Sequence, residues 1–190
     1  MIGFTSLKRL LLATATLGFA AHAAAAEPPL SLDVYNPGAN AIFPVTSVLV
    51  SGKKDAILVD AQFGKSQAQQ LVDKIRASGK HLTTIYISHG DPDYYFGLDT
   101  LTAAFPDAKV VASQPTVDHI KATVDGKLAF WGPKMGTDVP AKTIVPGVLK
   151  GHSLTLEGQK LDVIGLDGKQ PDRSFAVSYT HLTLPTILLV

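Results

Sequence analysis

The stretch from Thr83 to Leu101, TTIYISHGDPDYYFGLDTL, constrains this chain more than any other. Its β-branched and aromatic start predicts a buried strand, and His89, Asp91 and Asp93 follow at alternate positions where the chain leaves the sheet. Open α/β sheets place ligands at the carboxyl ends of their strands. In extended backbone, alternate side chains project to one side, so an imidazole and two carboxylates can converge on one ion. Pro92 stiffens the link between the two carboxylates and biases Asp91 toward extended geometry. Asp91 and Asp93 have no Lys or Arg near them in sequence, and a cation would relieve their mutual repulsion. Asp also caps turns and helices, and a lone His-x-Asp-x-Asp is a short motif. Capping and ion binding both remain open on the local sequence.

The flanking chain alternates between strand and helix. SLDVY and FPVTSVLVSG read as strands, and SGKKDA, Ser51 to Ala56, as the hairpin turn leading into ILVDA. A helix follows, with Ser66 as its expected cap, Gln69 in capping-box position, an apolar stripe of Leu71, Val72 and Ile75, and Gly79 at its end. Strand, helix, strand at this spacing predicts a βαβ-like unit in a layered α/β domain. The alternation continues with a short helix near Leu98 to Phe105, the strand AKVVAS, and a helix opening at Pro115 with Val117, Ile120 and Val124 on one face. Lys127 to Lys150 is rich in Gly and Pro and reads as a long loop. HSLTLEGQKLDVIGL then predicts two strands joined by a turn at Glu157-Gly158. No repeat of 20 to 50 residues is visible.

The two ends are out of character with the rest. Residues 1–26 hold Lys8 and Arg9, then an uncharged apolar run closing on small residues, the pattern of a secretory signal peptide cleaved after Ala23 or Ala26. The apolar part, Leu10 to Ala21, is short for a membrane span. The expected compartment is a bacterial periplasm or the exterior, with no stable membrane anchoring after cleavage. Residues 177–190 have no charged side chain and resemble translated sequencing-adapter read-through, so they are expected to be a non-native tail. On that reading the genuine sequence ends near Phe175 or Ala176, and His181 is not a ligand. The domain proper is then 27–176, with 15 basic residues against 16 acidic ones, a balance that offers no field to attract nucleic acid. Cysteine is absent, so disulfides, thiolate metal sites and a cysteine nucleophile are excluded within this sequence.

The loop resembles the signature of the metallo-β-lactamase superfamily, His-x-His-x-Asp-His after a strand; here it reads His89, Gly90, Asp91, Pro92, Asp93, Tyr94. NAIFPVTSVLVSGKKDAILVDAQFG is similar to the family's opening hairpin, with Asp60 and Gly64 in the expected places, and the likeness runs from about Ser31 to Leu166. The resemblance implies an αββα sandwich, mainly its N-terminal half, with a metal site on one edge of the packed sheets. It assigns His89, Asp91 and Asp93 to metal, with Asp167 of VIGLDGKQPD standing where a later ligand belongs and Asp172 as a second choice. His152, His81 and His119 are expected to face solvent. Two departures matter. Tyr94 replaces an imidazole with a phenol, a poor zinc ligand at neutral pH. Asp91 replaces another with a carboxylate, which shifts preference toward harder ions such as manganese or iron(II).

The resemblance implies a secreted hydrolase with one divalent ion, zinc by family likeness, whose bound hydroxide attacks an ester, thioester, lactone or amide of a small molecule. Asp93 and Tyr94 are the expected catalytic residues, Tyr94 as a hydrogen-bond donor. The fragment as it stands is expected to be inactive and poorly soluble, because part of the sandwich is missing. A non-catalytic binding protein that lost its metal site is the alternative. A sugar-nucleotide transferase using Asp91-Pro92-Asp93 as an Asp-x-Asp motif is a third reading, weakened by the shortness of that motif.

Overall fold

The computed structural model describes residues 30–167, 169–178 and 186–188. The expected signal peptide, His181 and most of the expected tail lie outside the described residues. Among the described residues, ten strands form two sheets. The first is mixed, in the order β1 (Ser31–Tyr35), β2 (Ser47–Ser51), β3 (Asp55–Val59), β4 (His81–Ile87), β5 (Lys109–Ala112), β6 (Gly147–Val148). Its first three strands are antiparallel neighbours and the run from β3 to β6 is parallel. The second sheet is antiparallel, in the order β10 (Thr186–Leu188), β9 (Phe175–Ser178), β8 (Gln159–Ile164), β7 (Ser153–Leu156).

Side-chain alternation along the strands builds two cores. Leu49, Leu58, Leu82 and Ile87 face a helical layer of α1 (Lys65–Ala77), α3 (Leu98–Ala104) and α4 (Gln114–Met135), which adds Leu71, Ile75, Leu101 and Ile120. Val48, Val50, Ile57, Val59 and Tyr86 point the other way and meet Leu154, Leu156, Leu161 and Val163 of the second sheet. The described residues therefore form helix, sheet and sheet, three layers of the expected sandwich. Among them no helix is long and apolar enough to cross a membrane.

Several local expectations hold. β3, α1 and β4 form the βαβ unit with parallel strands; Gly79 ends α1 with φ 66°, and Glu157-Gly158 turns β7 into β8 with φ of 48° and 85°. Two need correcting. The first turn of α1 is capped at Gly64, whose N–H donates to Gln67 Oε1 at 3.0 Å, rather than at Ser66 with Gln69. Ser66 instead donates from its N–H and hydroxyl to Asp138 Oδ1 and Oδ2, at 2.7 and 3.0 Å, so a distant carboxylate covers the helix start. The larger correction is α4, which runs to Met135 and so takes in the start of the segment expected as loop. Leu128, Trp131 and Met135 continue the stripe of Val117, Ile120 and Val124 into the core, and that burial outweighs the helix cost of Gly126, Gly132 and Pro133.

Candidate active site

β3 and β4 run side by side and end together, one on Asp60 and the other on Ser88-His89. Asp60 (φ 64°) and Gln62 (φ 70°) adopt left-handed backbone, uncommon for residues other than glycine and concentrated where local geometry is held for function. The Asp60 N–H donates to Tyr86 O at 2.8 Å, which turns its carboxylate under the β4 exit. That carboxylate accepts from the Ser88 N–H at 2.8 Å and from the Ser88 hydroxyl at 2.7 Å. Ser88 Oγ lies 2.6 Å from His89 Nδ1. A hydroxyl has one proton, so when Ser88 donates to an ionised Asp60 it accepts from Nδ1–H, and the Nε2 lone pair is left for a ligand. Burial is complete at Asp60 and pushes its pKa up to about 7, against the Ser88 hydrogen bonds and with a contribution from Asp93.

His89 is buried, stacked on the Tyr94 ring at 4.1 Å and 12° and edge-on to Phe175 at 6.3 Å. Burial, then the nearby Arg173 charge, brings its pKa down to about 4, so the imidazole is neutral at pH 7, as ligation requires. Asp93 is half-buried with its pKa raised to about 6, by burial first and then by Asp91, against the attraction of Lys127 and Arg173. Burial and the negative charges of Asp93, Asp60 and Asp91 push Tyr94 up to about 12, which keeps the phenol a neutral donor.

Asp91 stands at the N-cap position of the short helix α2 (Pro92–Tyr95), yet its side chain makes no capping bond. Lys127 Nζ lies 3.3 Å from Oδ1 and Arg173 Nη2 lies 3.2 Å from Oδ2. The carboxylate does not cap the helix and is held in two ion pairs. Lys127 also donates to Gly90 O at 2.8 Å and lies 3.0 Å from His119 Nε2. His119 Nδ1 is 3.5 Å from Asp172 Oδ2. The His119 ring packs so closely on Gly90 that a Cβ there would lie 2.7 Å from Cδ2, which is why this position has no side chain. Arg173 arrives because the chain before β9 pairs with the loop: Gly90 N–H donates to Asp172 O at 3.2 Å, and Ser174 N–H donates to Ser88 O at 2.9 Å.

Of the expected metal residues, His89, Asp91 and Asp93 share one loop, whereas Asp167 sits exposed in the turn after β8. Among the described residues no group of three or more His, Asp or Glu side chains is gathered to hold a metal ion. His152 is exposed and so is His81, which pairs with Asp55 at 3.3 Å. His119, expected to face solvent, is part of the site's border. Lys127, Arg173 and Asp60 were not singled out as site residues by sequence. For Lys127 the continued apolar stripe of α4 was the available signal. Beside the loop lies an open cleft of about 570 Å³ lined by His89, Gly165, Lys169, Gln170, Arg173 and Phe175.

Residues 41–188 match the family model described as metallo-beta-lactamase superfamily. A curated relative, the uncharacterized protein YobT of Bacillus subtilis (strain 168), is 35% identical over 74 residues, 39% of this chain and 31% of that protein. Among solved structures, the BLEG-1 B3 metallo-beta-lactamase superposes with a TM-score of 0.58 at 14% identity, over 78% of this chain and 67% of that one. A Cronobacter sakazakii metallo-beta-lactamase with a HARLDQ motif gives 0.51 at 24% identity, over 70% and 51%. FEZ-1 of Legionella gormanii gives 0.52 at 18%, over 70% and 51%. At these identities the superpositions speak for the fold. The matched chain spans about a third of the curated relative and between half and two thirds of these enzymes.

Proposed function

The chain belongs to the metallo-β-lactamase superfamily, and from that membership we propose that it is a hydrolase of a small-molecule ester, thioester, lactone or amide, working at the β4 edge with one divalent ion. The observation that carries this reading is His89 at the rim of the cleft, stacked on Tyr94 and oriented from below by Ser88 and Asp60.

If a cation binds here, His89 and Asp93 are the residues that would hold it, and no third His, Asp or Glu is gathered with them among the described residues. His89 offers a neutral imidazole with Nδ1 already anchored, the arrangement by which outer hydrogen bonds orient a ligating histidine. Asp93 is a half-buried carboxylate whose proton affinity is raised by burial and by Asp91, and a cation would relieve that crowding. Asp91 is taken by Lys127 and Arg173, and Tyr94 stays protonated. Zinc fits an imidazole and a carboxylate, and manganese or iron(II) would also accept that pair. What such an ion supplies is Lewis acidity toward the substrate oxygen and toward a water.

The chain's own residues do the rest. Ser88 and Asp60 hold the His89 ring, and Tyr94 donates a hydrogen bond to the oxygen on which charge develops. The HARLDQ string of the Cronobacter enzyme and the HGDPDY string here share His first and Asp fifth, with no imidazole third or sixth. Such a loop therefore occurs in a protein named as a metallo-beta-lactamase. We place the protein in the periplasm or outside the cell, on the signal-peptide pattern of residues 1–26.

The test is metal analysis of the purified chain after dialysis against zinc, manganese and iron(II), with hydrolysis of an aryl ester, a thioester, a lactone and a β-lactam followed in parallel. The chain is expected to retain one equivalent of metal, whether or not it turns over any of the four substrates. No retained ion and no turnover would leave the non-catalytic binding reading, which the ion-paired state of Asp91 favours and which predicts an unchanged melting temperature in chelator.

A further inference from the structure

The two carboxylates that flank Pro92 have different surroundings. Asp93 has no Lys or Arg within salt-bridge distance among the described residues, whereas each Asp91 oxygen faces its own cation. Those cations are themselves fixed. Lys127 comes from the middle of α4 and is held by Gly90 O and His119 Nε2 as well as by Asp91, with His119 held in turn by Asp172. Arg173 is delivered by the backbone pairing of residues 172–174 with residues 88–90. With side-chain exposures of 20% for Lys127 and 35% for Asp91, that pair is only partly screened by water.

We infer that Asp91 is not a metal ligand but the anchor of a two-cation clamp, in which Lys127 and Arg173 keep a divalent ion off its carboxylate. An ion seated on Asp91 would lie within a few ångströms of an ammonium and a guanidinium, where like charges repel strongly at the effective dielectric of a protein surface. The clamp carries two positive charges on side chains tethered to the fold, as much charge as a second divalent ion would bring. Asp91 is therefore a positioning residue. It holds Lys127 and Arg173 at the cleft beside His89, and it leaves the coordination shell to its neighbours. This assignment deepens the single-ion reading given above and rests on it.

Cobalt(II) reports the coordination shell directly through its visible absorption bands, independently of turnover. Titrated into the full chain, it should give bands that D91N leaves unmoved and H89Q shifts or abolishes. Removing the clamp in K127M/R173M should free Asp91, tighten cobalt binding by about tenfold or more and change the bands; adding D91N to that variant should reverse both effects. Bands that move in D91N alone, or a K127M/R173M chain that binds no more tightly than the parent, would overturn the clamp. If K127M/R173M loses its circular dichroism, the single variants K127Q and R173Q replace it with the same direction expected of each. A parent chain that binds no cobalt removes the single-ion clause of the proposed function alone. The clamp then still requires K127M/R173M to bind cobalt, and failure to do so overturns it.

Discussion

The two ends of β3 each carry a carboxylate that organises a turn, and the two are built in opposite ways. At its start, Glu157 reaches from the tip of the β7–β8 hairpin and accepts from the N–H groups of Lys53, Lys54 and Asp55, with its contacts to Lys53 and Asp55 at 2.7 Å. Glu157 is only partly buried, and the Asp55, Lys54 and Lys53 N–H groups together hold its pKa below the usual range. At the other end, Asp60 also accepts from a backbone N–H and a hydroxyl, yet burial outweighs both bonds and pushes its pKa up. One carboxylate clasps two sheets and keeps its water; the other is deprived of water to orient a histidine. Hydrogen bonds lower the pKa of both carboxylates, and only where desolvation outweighs them, at the end where β3 and β4 open on the cleft, does the protonated form gain.

The sharpest way to break this contrast is D60N, measured by denaturant unfolding in chelator. Asp60 has a folded pKa near 7 against an ordinary 3.8, so the stability it lends is present below pH 3.8 and lost as pH rises through 7. D60N should match the parent at pH 4 and exceed it at pH 8, by up to about 4 kcal/mol if the whole shift is realised. A variant less stable than the parent at pH 8 would mean that Asp60 is stabilised as an anion.

His89 gives the next largest effect, with the opposite sign. Its folded pKa of about 4 lies below the ordinary 6.5, so its contribution is present above 6.5 and lost as pH falls toward 4, by about 3 kcal/mol. The Asp60 and His89 trends oppose each other between pH 4 and 6.5, and the acid limb should therefore stand out in the D60N background and flatten when H89Q is added. An acid limb of D60N unaltered by H89Q would assign it to another group.

Glycines compare the two ends by packing. A Cβ on Gly97 would lie 1.9 Å from Ala61 O, a backbone atom, whereas one on Gly52 would meet the flexible Glu157 carboxylate at 2.8 Å. G97A should cost about 1–3 kcal/mol, because the α3 start and the β3 exit must part. G52A should cost less, since Glu157 can swing into solvent; equal costs in thermal melts would show that the clasp is as rigid as the site. The smallest expected effect is E157Q, a slight loss of stability at neutral pH. Glu157 contributes above its ordinary pKa and loses that contribution as pH falls through its depressed folded value, so E157Q and the parent should converge in acid. A difference that persists there would point to geometry rather than charge.

Much of the frame was legible because its causes are local. The strand before His89, the glycine end of α1 and the turn at Glu157-Gly158 each follow from residues within a few positions of one another. The start of α1 was misplaced by two residues because its Ser66 groups bind Asp138, 72 positions away. The end of α4 was missed because its glycines and Pro133 read as breakers, while the apolar stripe that overrides them gains its value only by burial against the sheet. The site divides in the same way. His89, Asp93 and Tyr94 stood out by spacing, but Lys127 and Arg173 meet Asp91 from 36 and 82 positions away.

The sequence by itself determined the order of strands and helices, the polar loop after β4 and the absence of any thiolate from the donor set, because pattern and composition are properties of neighbouring residues. Only the tertiary structure decided what each carboxylate became. Asp60, Asp91 and Asp93 are chemically identical side chains, and they differ here in the water removed from each and in the cations the fold brings to it. Solvation and long-range charge depend on what arrives in space, which no local stretch of chain encodes.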